Sequence, residues 1–193
     1  MQKQISPAPH KQNGLTLLEL IIALSISAIL ISLALPSFTA LIENNRANTS
    51  INRMVSALHY ARTQAINHGK SVTLCPLQNS EICGQTWRQG LLIFIDNNRD
   101  GQHQTNETIL QSGSPFPAGS QISWAAFGSN RYLRFTHEGY TANQNGRFTY
   151  CPKSRNNYYS RQIIINKNGR PRQAEDKDSN GIIETTSGQD IQC

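Results

Sequence analysis

The chain divides into one long apolar run and a polar remainder. Residues 15–35, LTLLELIIALSISAILISLAL, contain a single ionisable side chain, Glu19. A membrane-spanning helix needs about 20 mostly apolar residues. The run therefore predicts a helix over residues 15–36 that crosses a membrane or forms the core of a filament.

The apolar periodicity continues beyond Pro36. Apolar residues recur there at spacings of three and four, which is typical of one face of a helix. We predict one helix over residues 16–68, ended by Gly69 at its C-cap, with this face packed on a sheet. The predicted face is Leu41, Ile51, Met54, Val55, Leu58, Ala61, Ala65 and Ile66, and the predicted outward-facing arginines are Arg46, Arg53 and Arg62.

Short apolar or alternating segments follow the helix and predict strands. With one long N-terminal helix, whose first half is transmembrane, they indicate an α+β fold in which the helix packs on antiparallel β-sheets. No internal repeat or linker points to a second domain, so residues 37–193 form one exported domain. The predicted strands are SVTLCP, GLLIFID, ETILQS, QISWAAF, YLRFTHEGY, GRFTYCP and RQIIINKNG.

The residues before the apolar run predict its orientation. MQKQISPAPHKQNG, residues 1–14, carries Lys3 and Lys11 but no acid, so it should stay on the cytoplasmic side. No small-residue cleavage site follows the run, which indicates that the run stays in the mature protein. The net charge is +6 and the mean hydropathy −0.47; such a charge is weak evidence for an anionic partner.

Four cysteines lie in the exported part, where disulfides are expected. Three pairings are possible, and we favour Cys75 with Cys83 and Cys151 with Cys193. No C-x-x-C occurs and no cysteine pair has a histidine at ligand spacing, so we predict no metal site at the cysteines.

The stretch GLTLLE, residues 14–19, resembles the type III signal of type IV prepilins and pseudopilins. The resemblance implies cleavage between Gly14 and Leu15 by a prepilin peptidase and methylation of the new amino terminus. Leu15 stands where the family usually has Phe. Glu19 becomes the fifth residue of the mature chain. A carboxylate within a membrane segment needs a functional partner, and the resemblance implies the amino terminus of a neighbouring pilin during assembly.

The middle of the chain, TWRQGLLIFIDNNRDG…ETIL, resembles the GspH/FimT branch of that family. Together the two resemblances imply a leader over residues 1–14 and a single-pass inner-membrane protein with a periplasmic domain. They also imply later incorporation into a pilus at the cell surface, with other major and minor pilins as partners.

The segment from Arg147 to Ala174 contains seven basic residues and no acid, with Tyr150, Tyr158 and Tyr159 between them. Basic residues among aromatics on a polar surface suggest a nucleic-acid footprint. The planar guanidinium group can bond two phosphate oxygens at once. The basic residues are Arg147, Lys153, Arg155, Arg161, Lys167, Arg170 and Arg172.

The stretch GRPR, residues 169–172, matches the G-R-x-R motif of FimT members, minor pilins implicated in DNA uptake during natural transformation. This resemblance implies that Arg170 and Arg172 contact double-stranded DNA. Pro171 fixes φ between them, and an extended segment would place both on one side. Electrostatics alone adds Lys167, Arg161, Arg155 and Lys153 to the predicted site.

Three other interpretations stay open. The arginines could be solvated charges, or they could pair with Glu175, Asp176 and Asp178. The chain could instead be a structural pseudopilin of a type II secretion system. Alternatively, it could be a minor pilin that only primes pilus assembly.

Two acidic loops carry oxygen ligands at spacings typical of calcium sites. The loop DNNRDG, residues 96–101, with Glu107, is interpreted as a hairpin turn because it lies between strands. The loop DKDSNGIIE, residues 176–184, stays open, since some pseudopilins bind calcium in a C-terminal loop. No cofactor is predicted, and no enzyme, because no motif places a Ser or Cys beside His59, His68, His103 or His137.

Overall fold

The structure is a computed structural model that describes Gly14 and residues 16–193. The predicted leader residues 1–13 and Leu15, with the processing predictions made for them, lie outside the described residues. The long helix is confirmed: helix α1 spans Leu17–His68 and runs through Pro36. It is followed by Gly69, whose φ is +60°. The amides of Gly69 and Lys70 bond the carbonyls of Ile66 and Ala65, which is a Schellman C-cap.

The helix begins with a capping box. The amide of Glu19 donates to Thr16 Oγ1 at 3.2 Å, and the amide of Thr16 donates to Glu19 Oε2 at 2.9 Å. This reciprocal pair satisfies two of the amides that have no partner within the helix. In the single chain, therefore, the partner of the Glu19 carboxylate is its own N-cap residue.

The residues up to Leu41 and the segment Ile42–Cys193 are separate units. In the first unit, the apolar side chains of α1 are exposed. By length and composition, α1 contains a stretch long and apolar enough to cross a membrane.

In the described part of the second unit, nine strands form two antiparallel sheets. The first sheet has the order β2-β1-β3-β4, with β6 also paired to β1, and the second has the order β5-β7-β8-β9. All seven predicted strands are present, and β2 and β9 were not predicted. The bounds are β1 Val72–Asn79, β2 Ile82–Cys83, β3 Leu91–Ile95, β4 Ile109–Ser112, β5 Gln121–Ala126, β6 Leu133–Phe135, β7 Gly146–Cys151, β8 Arg161–Ile165 and β9 Pro171–Gln173.

One hydrophobic core joins the second half of α1 to both sheets. Burying these side chains stabilises the unit at roughly 25 cal/mol per Å² of apolar surface removed from water. The predicted face was largely correct, but Leu41 and Ile66 are exposed, Val55 is half-buried, and Ala47 and Ala57 belong to the core. The helix residues buried in it are Ala47, Ile51, Met54, Ala57, Leu58, Ala61 and Ala65.

Two of the three arginines that were expected to point outward are instead half-buried. Arg53 donates to the carbonyls of Ser114 and Pro115, and its guanidinium lies 4.4 Å from the centre of the Phe116 ring. Arg62 Nε donates to the carbonyl of Gly139 at 2.9 Å. Loop carbonyls packed against a helix need donors, and the long arginine side chain reaches them while its stem covers apolar surface.

The structure contains the two predicted disulfides, Cys75–Cys83 and Cys151–Cys193. The first joins β1 to the short β2. The second ties the C-terminal residue to the end of β7, and it closes a loop of 42 residues. The C-terminal segment is thereby attached to the second sheet, which carries the basic residues.

Candidate nucleic-acid interface

The predicted arginine pair lies at a structured turn between β8 and β9. The amide of Gly169 donates to the carbonyl of Asn166 at 3.0 Å, and the amide of Arg170 donates to Asn166 Oδ1 at 3.2 Å. Asn166 thus closes the turn with both its backbone and its side chain, as Asn does in many turns.

Gly169 fastens this turn to the body of the protein. It is buried with φ +72°, and a Cβ added to it would lie 2.3 Å from the carbonyl oxygen of Gly139. Only glycine fits such a close approach. On the other side of the turn, the amide of Thr141 donates to the carbonyl of Lys167 at 3.0 Å. The turn is therefore held by the loop 136–141, which Arg62 contacts from the helix.

Strand β9 fixes the direction of the arginines. Its Pro171 pairs with the buried Ile165, and its Arg172 pairs with Ile164. Proline is tolerated here because β9 is a sheet edge and Pro171 is its first residue. In an extended segment the side chains alternate, so Arg172 lies opposite to the core-facing side of Pro171. The same alternation places Arg170, the residue before the strand, on the side of Arg172. Both side chains are exposed.

The register places a third arginine beside Arg172. Arg147 of β7 pairs with Ile164, which pairs with Arg172. Directly opposite residues of antiparallel strands share a face, so the two arginines lie on one face, about 10 Å apart across two strand spacings. Arg147 was counted in the basic segment but not in the predicted site. Its position depends on strand register, which the sequence did not specify.

In the part of the chain that the structure describes, no carboxylate pairs with these arginines within 4 Å. Among residues 14 and 16–193, the one ion pair within 4 Å joins Arg134 to Asp96. Two of the three acids suspected of pairing with the arginines bond their own loop instead. Asp176 Oδ2 accepts from the amide of Gly181 at 2.8 Å, and Asp178 Oδ1 accepts from the amide of Asn180 at 3.1 Å. Among the described residues Glu175 forms no ion pair within 4 Å. Arg170 and Arg172 therefore keep their charges available.

Arg161 was predicted for the same site, but its guanidinium group forms hydrogen bonds within the protein instead. Its Nε donates to Asn48 Oδ1 at 3.0 Å and its Nη2 to Asn44 Oδ1 at 2.5 Å, while its Nη1 donates to the carbonyls of Tyr158 and Ser160. Burial lowers the pKa of Arg161 below its ordinary value. The side chain sits on the helix-facing side of the sheet and is a link between β8 and α1.

The other three predicted basic residues lie at different ends of β8. Lys167 is exposed in the turn beside Arg170. Lys153 and Arg155 are exposed near the start of β8, about 15 Å away along the strand. There the Lys153 stem covers Gly119, and Arg155 Nη1 donates to the carbonyl of Cys193 at 3.3 Å. The structure thus groups Lys167 with the arginine pair and separates the other two from it.

The two acidic loops differ in how their carboxylates are arranged. The loop after β3 connects two antiparallel strands, and its buried Asp96 and Glu107 accept hydrogen bonds from the amides of Gly101 and Asn97. In the C-terminal loop, oxygens of three carboxylates lie within 4.8 Å of one another. These are Asp176, Asp178 and Glu184.

Two family models match the sequence of this chain. The family model for the type II transport protein GspH matches residues 50–169, more than half of the chain. The chain belongs to the GspH family. The prokaryotic N-terminal methylation motif matches residues 9–35. The predicted membership of the type IV minor pilin and pseudopilin family is confirmed.

Two crystal forms of one solved minor pilin share the fold. The type IV minor pilin FimU of Pseudomonas aeruginosa matches with a TM-score of 0.55 and 19% identity, over 69% of this chain and 91% of that chain. A second crystal form of FimU gives a TM-score of 0.50 and 18% identity, over 66% and 92%. The minor pseudopilin EpsH of the Vibrio cholerae type II secretion system gives 0.48 and 13%, over 66% and 95%. No curated protein matches the chain at a significant level.

Membership of the GspH family has direct consequences. Its members are structural subunits that assemble with other pilins, and they carry an N-terminal motif cleaved by a prepilin peptidase. They are not known as enzymes. The apolar helix and the methylation motif fit a membrane-anchored pilin that is assembled into a pilus.

Proposed function

We propose that this GspH-family chain is a minor type IV pilin that binds double-stranded DNA without sequence preference and promotes DNA uptake in natural transformation. The observation that carries the proposal is the turn at residues 166–170. With the first residues of β9, the turn presents Arg170 and Arg172 exposed and on one side, and no carboxylate of the described residues pairs with them within 4 Å. Lys167 adds a third cation in the same turn.

The mechanism rests on phosphate contacts. Because the turn is already held in place, its guanidinium groups bind phosphates without the entropy cost of ordering a mobile tail. Such contacts carry no sequence information, so binding is non-specific and salt-sensitive. The dissociation constant per subunit is on the order of micromolar or poorer. Retraction of a pilus that carries this subunit would then draw the DNA to the cell envelope.

The N-terminal residues supply the route into that pilus. Under this proposal the chain crosses the inner membrane once with its C-terminal domain in the periplasm, and the peptidase cuts between Gly14 and Leu15. Glu19 leaves its N-cap partner and pairs with the amino terminus of a neighbouring pilin, since a carboxylate in an apolar environment needs a cation.

The test is titration of the full chain, in neutral detergent micelles, into fluorescently labelled duplex DNA with anisotropy as the readout. Arg170→Gln/Arg172→Gln should weaken binding at least ten-fold. The matched control is Lys153→Gln/Arg155→Gln, which removes the same charge at the other end of β8 and should change affinity less than two-fold.

Equal loss in both double variants would mean that only net charge matters. Unchanged binding in the first variant would overturn the proposed site. No binding by the wild type would favour a structural pseudopilin or a priming subunit. Circular dichroism of each variant confirms that it is folded.

A further inference from the structure

An exposed aromatic ring lies beside Arg147, which shares a sheet face with Arg172. Phe127 follows β5 directly and is 75% exposed. Its backbone is not loose, because its amide donates to the carbonyl of Asn145 at 3.1 Å and the preceding amide, of Ala126, bonds Asn130 Oδ1. The protein therefore holds a large apolar ring in water on a backbone that is fixed by two hydrogen bonds.

Two shallow grooves connect this ring to the turn. The first, of about 340 Å³, lies between Phe127, Arg147 and Ile164. The second, of about 390 Å³, shares Asn145, Ile164 and Ile165 with the first and extends to Lys167. Arg172 lies on the same sheet face as Arg147. A continuous strip thus runs from the ring to the arginine turn.

The chemistry of the strip indicates its occupant. The charged residues that line it are Arg147 and Lys167, which are both cations, and no carboxylate of the described residues lines either groove. The amides of Asn145, Asn166 and Asn168 can bond polar groups of either kind. A positively charged groove that contains an exposed aromatic ring is how proteins hold single-stranded nucleic acid, with bases stacked on the ring. A duplex offers no free base face to the ring, because its bases are already stacked on one another.

We propose that the strip formed by Phe127, Arg147 and Lys167 binds a single-stranded stretch of DNA, with one base on the Phe127 ring and the adjacent phosphates on the two cations. This inference rests on the proposed DNA-binding function and deepens it. The arginine turn engages any DNA backbone, whereas the ring adds affinity only where a base is free.

The test compares labelled oligothymidylate, an abasic strand and a blunt duplex, each of about 12 nucleotides or base pairs. They are titrated into the full chain in neutral detergent micelles. Phe127→Leu should weaken oligothymidylate binding at least five-fold but change abasic-strand and duplex binding less than two-fold. Phe127→Tyr, which keeps the ring, should bind like the wild type.

A second readout uses Phe127→Trp. The two native tryptophans are 2% and 5% exposed, so the new one would dominate any quenching by a stacked base. Oligothymidylate should quench its fluorescence, and the abasic strand should not.

The outcomes separate the two proposals. If Phe127→Leu binds oligothymidylate like the wild type, or loses oligothymidylate and duplex binding equally, the stacking inference is overturned. The arginine site would then still stand on its own duplex data. If the wild type binds neither DNA, the proposed function and this inference fail together.

Discussion

The two ends of β8 carry similar basic residues but use them differently. At its start, Arg161 donates to the side chains of Asn44 and Asn48 and to two carbonyls. Beyond its end, Arg170 and Arg172 face solvent and pair with no carboxylate among residues 14 and 16–193. A guanidinium whose donors already bond protein oxygens has few left for a phosphate. The number of basic residues in a segment therefore overstates the number of cations available to a ligand.

The two ends of β8 are also held in place by different kinds of contact. The start of β8 lies near the Cys151–Cys193 disulfide, and Arg155 bonds the carbonyl of Cys193. The turn after β8 has no covalent link and is held by a glycine contact and backbone hydrogen bonds. Changes to the two kinds of attachment should therefore have separable effects.

The largest effect is expected from breaking the covalent attachment. Cys151→Ser/Cys193→Ser should lower the free energy of unfolding by about 4 kcal/mol, because the bond closes a loop of 42 residues. Duplex affinity, measured below the melting temperature, should stay within two-fold of wild type, since the arginine turn is held by other contacts. Urea unfolding gives the first quantity and anisotropy the second.

The matched control is Cys75→Ser/Cys83→Ser, whose sequence separation is 8. It should lower the free energy of unfolding by about 2.5 kcal/mol. A loss of DNA binding in the Cys151→Ser/Cys193→Ser variant alone would show that the C-terminal tether positions the arginine turn.

Gly169→Ala should break the other attachment. Its side chain would meet the Gly139 carbonyl at 2.3 Å in a backbone conformation with φ +72°. The backbone strain at residue 169 and the displacement of the turn from Gly139 should together lower the free energy of unfolding by about 3 kcal/mol. The displaced turn should also bind duplex DNA more weakly. Gly188→Ala is the control, since φ is +78° there but nothing lies within 4 Å, and it should cost about 1 kcal/mol. Equal losses in the two variants would mean that the Gly139 contact contributes nothing.

Arg161→Gln sharpens the contrast between the two ends. It removes four hydrogen bonds that a half-buried guanidinium donates to α1 and to nearby backbone carbonyls, so it should lower the free energy of unfolding by about 2 kcal/mol. The folded variant should keep wild-type duplex affinity. Arg172→Gln should do the reverse, with unfolding changed by less than about 0.5 kcal/mol and affinity reduced. If Arg161→Gln weakened duplex binding while remaining folded, Arg161 would belong to the DNA site.

The smallest effect is expected in the salt dependence. Each arginine that contacts a phosphate contributes about 0.9 to the negative slope of log K against log salt concentration. Arg170→Gln and Arg172→Gln should each reduce the slope by about that amount, while Lys153→Gln should leave it unchanged. Anisotropy titrations at several salt concentrations measure it. A slope unaltered by either arginine variant would exclude their contact with phosphate.

Much of the fold was predictable because it follows local rules. The run with the single carboxylate, the three- and four-residue spacing and Gly69 predicted helix α1, and alternating segments predicted seven of the nine described strands. The site was predictable where a short motif carried it, at Gly169, Arg170 and Arg172. The structural role of Arg161 was not, because its oxygen partners lie 113 and 117 residues earlier in the chain.

The sequence by itself determined the family, the apolar helix, the cysteine positions and the acid-free basic segment, since these depend on residue types close together in the chain. Tertiary structure alone decided which cations remain available. The pairing of β7, β8 and β9 placed Arg147 beside Arg172, and packing on α1 took Arg161 out of solvent. Tertiary structure also left Phe127 exposed in the same groove as Arg147. Register and burial are set by contacts between distant segments, and one-dimensional patterns do not contain them.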